Sequence, residues 1–326
     1  MKKNILFIAP NYFDYHTLIK KELEKTGYKV DWFDDRPNPN LIEKCILRIH
    51  PSFLKYKTEK YFNDLILNAA KEKHYDIVFV VLGQCLTPLM CRKLRETLPD
   101  AHFIMYLWDS IKNFPQCLET SKKFDKVYSF DMCDCDKYGF YFKPLFYVYD
   151  SLMPKENCSF FDTACICTIK KGKYQFINKI KQELDKNNKN NYFYLYLQSR
   201  IVWLYYKLKF KEFKRSHMKE FYYKKMSYVE MLKIVSNAKI VLDVQMENQN
   251  GLTIRTFESL ALGKKLITTN TNIKNYDFYN KKRIYIYNGE KIDLSNEFFT
   301  YDFDVTKDLP FFSKYSIANR VKDILS

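Results

Sequence analysis

Short apolar runs alternate with amphipathic helical stretches along almost the whole chain. That alternation leaves few folds open, because it is the pattern of a parallel sheet covered on both faces by helices. A strand at Asn4 to Ala9 leads through Pro10 to Tyr15 into a helix over Thr17 to Lys25, which stops at Gly27. A second strand at Tyr28 to Phe33 follows, ending in Asp34-Asp35-Arg36-Pro37. Beyond a Lys- and Tyr-rich helical region reaching Lys73, strands are expected at Asp76 to Leu82, His102 to Leu107 and Lys126 to Phe130. A helix lies at Leu86 to Leu98, with Pro88 in its first turn. The periodicity fades from Val148 to Ser159 and then resumes. Strands are expected at Thr163 to Cys167, Tyr192 to Leu197, Lys239 to Val244 and Lys265 to Thr268, and helices at Tyr174 to Leu184, Ser227 to Ser236, Arg255 to Leu262 and Ser316 to Leu325. A chain of 326 residues exceeds one ordinary core and suits two domains of about 150 residues each, with a cleft between them.

Hydrophobic residues at 47% and charged residues at 28% supply a sizeable core and exclude a disordered chain. The formal net charge of +16 favours an anionic partner, whether nucleotide diphosphate, lipid headgroup or nucleic acid, without choosing among them. The nine cysteines are odd in number, and the close pairs Cys133/Cys135 and Cys165/Cys167 lack zinc-site spacing. Reduced thiols in a reducing compartment are expected, and no metal site. The apolar run Ile5 to Ala9 is too short for a secretion signal, and no stretch approaches the roughly 18 apolar residues that cross a bilayer. The sequence therefore places the protein in the cytoplasm, free or on a membrane surface.

The stretch from Asp243 to Asn270 carries the most chemistry. A strand gives way to a polar loop, Gln249-Asn250-Gly251, and then to a helix with Thr253, Arg255 and Thr256 in its first turn. Backbone amides at a helix start suit a diphosphate, Gly251 permits close approach, and Arg255 can pair with it bidentately. Glu258, one turn on, can accept from ribose hydroxyls. The following strand ends in Thr268-Thr269-Asn270 on the same rim. The same residues also read as a helix capped by Thr253 with an Arg255–Glu258 surface pair.

This segment resembles the donor-binding signature of GT-B glycosyltransferases, in particular the bacterial CgeB-like and lipopolysaccharide- or capsule-biosynthesis group. Asp31 to Pro37, Tyr106 to Ser110, Tyr128 to Asp131 and Lys274 to Tyr279 look like that group in order and spacing. The resemblance implies two Rossmann-like α/β domains facing each other across a cleft: an acceptor domain at 1–150, a nucleotide-sugar donor domain at 160–312, and a terminal helix at 313–326 that returns to the first domain. It also implies metal-independent, hexosyltransferase-type transfer from a nucleotide-diphosphate sugar, a donor substrate with no obligatory cofactor, to a glycan or lipid-linked acceptor. Glu258 falls on the second glutamate of an E-x7-E pattern whose first position is Asn250 here, and Gln249 and Asn250 offer neutral contacts to the donor sugar. Thr168 and Lys173, after the second domain's first strand, match where such proteins place groups for the diphosphate.

Transfer needs a base for the acceptor hydroxyl and fixed positive charge for the leaving diphosphate. His16, Asp14 and Asp109 lie at or beside strand ends and are the candidate catalytic residues, although His16 and Asp14 also read as packing and capping residues. Trp108 is a candidate sugar platform or a core residue. From Arg200 to Lys225 basic residues interleave with Trp203, Tyr205, Tyr206, Phe210, Phe213, Phe221, Tyr222 and Tyr223. This run reads either as a patch for an anionic membrane, on the inner face of the plasma membrane, or as a solvated basic connection. Two other function classes compete. A nucleic-acid-binding protein would explain the charge but lacks any motif for it, and the missing first glutamate permits a catalytically inactive GT-B-like assembly protein.

Overall fold

Runs of β-branched and aromatic residues form parallel strands in both halves of the computed structural model, which describes residues 3–12, 14–37, 55–148, 160–186, 190–246, 249–301 and 312–325. The first sheet contains β1 (Asn4–Ile8), β2 (Lys29–Phe33), β3 (Ile77–Val81), β4 (His102–Leu107), β5 (Lys126–Ser129) and β6 (Tyr141–Phe142), in the order β2-β1-β3-β4-β5-β6. Ile5 pairs with Val30 on one side and Ile77 on the other, so Ile5, Leu6, Phe7 and Ile8 are enclosed on both faces. The second sheet contains β7 (Phe161–Thr168), β8 (Asn191–Tyr196), β9 (Ala238–Asp243), β10 (Lys265–Thr268) and β11 (Ile284–Ile286), in the order β11-β10-β9-β7-β8. The strand order reverses between β1 and β3 and again between β7 and β9. Such switch points open a crevice beyond the strands' carboxyl ends, where open α/β sheets bind ligands.

The chain divides into two units, one of residues 1–144 with 317–326 and the other of 145–316. Most expected elements lie within two residues of the observed ones, and β4 and β10 agree at both ends. The first helix, Tyr15–Lys25, begins two residues early, which turns His16 inward. Helices Gln116–Ser121, Met132–Tyr138 and Arg200–Lys209 and strands β6 and β11 were not anticipated. The connection expected at Val148 to Ser159 lies, beyond Val148, outside the described residues.

Local chemistry fixes the helix ends. The Thr87 hydroxyl accepts from Met90 N at 3.3 Å ahead of Pro88, and Ser227 and Glu230 form a reciprocal capping box. Arg283, buried, donates to the carbonyls of Leu260 and Lys264, closing the end of helix Ile254–Ala261. The terminal helix Ile317–Leu325 belongs to the first unit. Its Val321 and Ile324 are buried, the Tyr128 hydroxyl donates to the Ile324 carbonyl at 3.4 Å, and Lys143 Nζ reaches Asp323 at 3.4 Å. Replacing Ile324 by Ala therefore removes packing at the first unit's core, and denaturant unfolding should register a loss of about 2–5 kcal/mol.

Candidate functional site

In the second unit, β9 ends at Asp243, whose Oδ2 accepts from the hydroxyls of Thr253 at 2.5 Å and Thr256 at 2.9 Å. The Thr253 hydroxyl in turn caps the helix by accepting from Thr256 N at 3.4 Å. One carboxylate thus pins the helix start to the strand end, and Thr256, at 1% exposure, is a structural residue here. Its hydroxyl, expected to face the diphosphate, donates to Asp243. Arg255 is partly exposed, and its Nη1 donates to Glu258 Oε2 at 2.6 Å.

Glu258, expected to accept from ribose hydroxyls, is fully buried. The carboxylate is enclosed against Arg255 and orients the guanidinium. The Tyr228 hydroxyl, buried beside that carboxylate, is held well above the usual phenol range by burial and then by the Glu258 charge.

The loop before this helix is tied to the next strand end. Asn270, buried, donates through Nδ2 to the carbonyls of Asn250 at 3.0 Å and Gly251 at 3.4 Å, and Asn272 Nδ2 reaches Asn250 O at 3.2 Å. Gln245 N donates to Thr269 Oγ1 at 2.9 Å, and Gln249 N to Met246 O at 3.1 Å. Asn250 and Gly251 therefore sit on a ledge tied to Asn270 and Asn272, with Gln249 next to them in the loop. Of the seven glycines, six have positive φ and Gly251 does not, so its turn does not require glycine. What glycine contributes there is a backbone without a side chain.

Thr168 ends β7, and Lys173 opens helix Lys173–Asp185. The start of that helix already holds an anion: the Glu212 carboxylate accepts from Gly172 N at 2.8 Å and Gln175 N at 3.2 Å. A diphosphate would meet a like charge there, which argues against the helix start near Lys173 as the phosphate seat. Lys173 contributes at longer range. The Cys167 thiol is held below its usual range by a hydrogen bond from Cys165 and by the charges of Lys173 and Arg255, against burial and the Asp243 charge, which push it up. Lys173, Asp243 and Arg255 thus converge electrostatically at the β7–β9 switch point. Among the described residues no group of His, Cys, Asp and Glu is gathered that could hold a metal ion.

In the first unit the three candidate catalytic residues lie in the segments that follow β1 and β4. His16 is 8% exposed and stacks on Trp32 with ring centroids 4.0 Å apart. Its Nε2 lies 3.1 Å from Thr17 Oγ1, while Nδ1 finds no hydrogen-bond partner. Burial lowers its pKa, offset in part by Asp14, so the imidazole is a neutral packing group. Asp14, exposed, precedes the helix at φ 58° without a side-chain cap bond. Asp109 Oδ1 accepts from Ser110 N at 3.0 Å and Asn113 Nδ2 at 2.7 Å, so that oxygen holds the turn after β4. Trp108 packs edge-on against Tyr15 and Tyr106.

The same unit holds a polar network that the choice of site residues overlooked. Arg36 forks onto Asp35 through Nε at 2.6 Å and Nη2 at 3.1 Å, and reaches Tyr12 OH at 3.2 Å and Gln84 Oε1 at 3.3 Å. It thereby joins the loops after β1, β2 and β3 above the switch point. The two non-glycine residues with positive φ among those described, Asp14 and Leu82, lie in the loops after β1 and β3. Gly83 completes the second of these turns at φ 65°, where a Cβ would come within 2.9 Å of Met105 Cε.

Asp34 stands beside this ion pair. It accepts from Arg36 N at 3.3 Å and, more weakly, from Asn11 N at 3.4 Å. Burial, then the Asp35 charge, push its pKa up to about 6, while burial and Asp35 push the nearby Cys85 thiol up to about 12. The available signal was the Asp-Asp-Arg run itself, since adjacent carboxylates sharing one arginine cannot be equally stabilised.

With both sheets described, the chain has the two-domain α/β fold of GT-B glycosyltransferases. HepE of Anabaena, solved with UDP and glucose, matches with a TM-score of 0.59 at 12% identity, over 99% of this chain and 98% of that one. A glycosyltransferase of Rickettsia africae matches at 0.53 and 12% identity, over 99% and 93%. UGT2 of Phytolacca americana, complexed with UDP-2-fluoroglucose and pterostilbene, matches at 0.50 and 10% identity, over 99% and 94%. No family model matches the sequence, and no curated protein matches it.

Asp243 is the residue on which the junction between β9 and the helix Ile254–Ala261 rests. Asp243→Ala would strand two hydroxyls and should cost about 1–3 kcal/mol in denaturant unfolding, whereas Thr256→Val, which keeps shape and removes one hydroxyl, should cost less.

Proposed function

We propose that the protein transfers a sugar from a nucleoside-diphosphate sugar to a hydroxyl of a surface-glycan acceptor. The observation that carries this reading is the strand-end ledge of the second unit, where Arg255 opens a helix and is held in orientation by buried Glu258. The helix start and the guanidinium supply fixed positive potential for the charge that develops on the leaving diphosphate. Gln249 and Asn250 flank it as neutral contacts for the sugar, with Thr253 beside them and Thr168 and Lys173 at the neighbouring strand end. Likeness in fold to HepE, which was solved with UDP and glucose, supports the same donor class.

Asp34 takes the part of general base. As the bond between the anomeric carbon and the diphosphate oxygen breaks, the acceptor oxygen forms the new glycosidic bond and its proton passes to the Asp34 carboxylate. A base with a pKa near the working pH is suited to that transfer. The charged and titratable groups around it are Asp35, Arg36, Tyr12, Tyr61 and Cys85.

A lipopolysaccharide or capsule intermediate is the acceptor class that the sequence resemblance favours. Action in the cytoplasm agrees with the free cysteines found among the described residues. No helix there is long and apolar enough to cross a membrane.

A thermal-shift screen of UDP-, GDP-, CMP- and dTDP-sugars tests the donor. One class should raise the melting temperature, with or without EDTA, and Arg255→Ala should abolish the shift; a wild type that binds none of them overturns the proposal in favour of an inactive or nucleic-acid-binding protein. Because the base must be deprotonated, kcat should rise with pH through about 6. Asp34→Asn should lower kcat by about 100-fold or more and remove that limb of the profile, while donor binding persists.

A further inference from the structure

The helix Arg200–Lys209 is anchored by one face and exposed on the other. Trp203 is buried, its Nε1 donating to Ser216 Oγ at 3.1 Å, and Tyr206 packs on Phe213 with ring centroids 5.0 Å apart. On the opposite side Ile201, Leu204, Tyr205 and Leu208 are 79%, 51%, 50% and 76% exposed. Positions i, i+3, i+4 and i+7 fall on one stripe about 100° wide along a helix about 15 Å long. Isolated exposed apolar residues are ordinary; four in register on a single helix face are not.

The charges around this stripe are sorted. Arg200, Lys209, Lys211, Lys214 and Arg215 are exposed. The two acidic residues of the segment face inward instead: Glu212 caps Gly172 and Gln175, and Glu220 accepts from Tyr174 OH and His217 N. With its acids engaged by internal donors, the segment presents outward an apolar ridge and cations. Nucleic acid would use the cations and leave the ridge in water, and a solvated connection would need no ridge at all.

We infer that the helix Arg200–Lys209 and the segment to Arg215 form a docking surface for an anionic lipid bilayer. Ile201, Leu204 and Leu208 enter the headgroup–acyl boundary, Tyr205 sits at headgroup level, and the exposed Lys and Arg pair with lipid phosphates. The inference is independent of the catalytic reading, because binding is measured without donor or acceptor.

The test is flotation of the full chain with vesicles of phosphatidylcholine alone or mixed with phosphatidylglycerol, with mass measurement by light scattering. The wild type should float with the anionic vesicles and not with the neutral ones, less so as salt rises. The double variant Ile201→Glu/Leu208→Glu should lose about tenfold or more of that binding with its melting temperature unchanged, since both side chains are exposed. Lys211→Glu/Lys214→Glu should also weaken it. The inference is overturned if the wild type ignores anionic vesicles, or if the Ile201/Leu208 variant binds them as well as the wild type does. A stable dimer in solution that this variant splits into monomers would likewise overturn it, assigning the face to a second copy.

Discussion

One oxygen of Asp243 fixes the geometry where β9 meets the next helix in the second unit. By accepting from Thr253 and Thr256 together, it couples the end of a buried strand to the first turn of the helix that carries Arg255. The cap that stabilises the helix and the anchor that aims it are therefore the same group. Glu258 adds a second constraint one turn later by clasping Arg255. Removing either carboxylate leaves a buried partner unsatisfied, so the arrangement has little freedom to relax.

The first unit solves the same problem with the charges reversed. There a cation, Arg36, gathers the three loops above the switch point, and a carboxylate, Asp34, lies 3.9 Å from the same guanidinium but is pushed up by burial and the Asp35 charge more than Arg36 lowers it. Backbone strain accumulates at the same place, in Asp14 and Leu82, where the loops turn sharply away from the strands. Rigid strands with tightly turned loops hold charged groups of both units at defined positions.

Much of this was legible in the chain. The parallel strands could be read because buried strands are continuous apolar runs, and the Asp243 to Asn270 ledge because a polar loop between strand and helix is distinctive. What misled was the direction in which side chains point. Glu258 and Arg255 are three residues apart and share a helix face in any reading, yet the enclosure of Glu258 depends on tertiary neighbours such as Tyr228. His16 follows the packing alternative, because the helix starts at Tyr15, a shift of two residues that turns its ring onto Trp32. Helix Arg200–Lys209 was missed as an element because its stripe of Ile201, Leu204, Tyr205 and Leu208 faces outward, and periodicity is ordinarily taken to mark a buried face.

The helix Ile317–Leu325 has a bearing on how the protein is made. It contributes Val321 and Ile324 to a core whose other members lie before residue 145, so the first unit's two segments flank the entire second unit in sequence. As the chain emerges from the ribosome, the first unit must wait for the whole of the second before its last apolar side chains arrive. The unit translated first is then the last to close, leaving apolar surface on the nascent chain uncovered until synthesis reaches that helix.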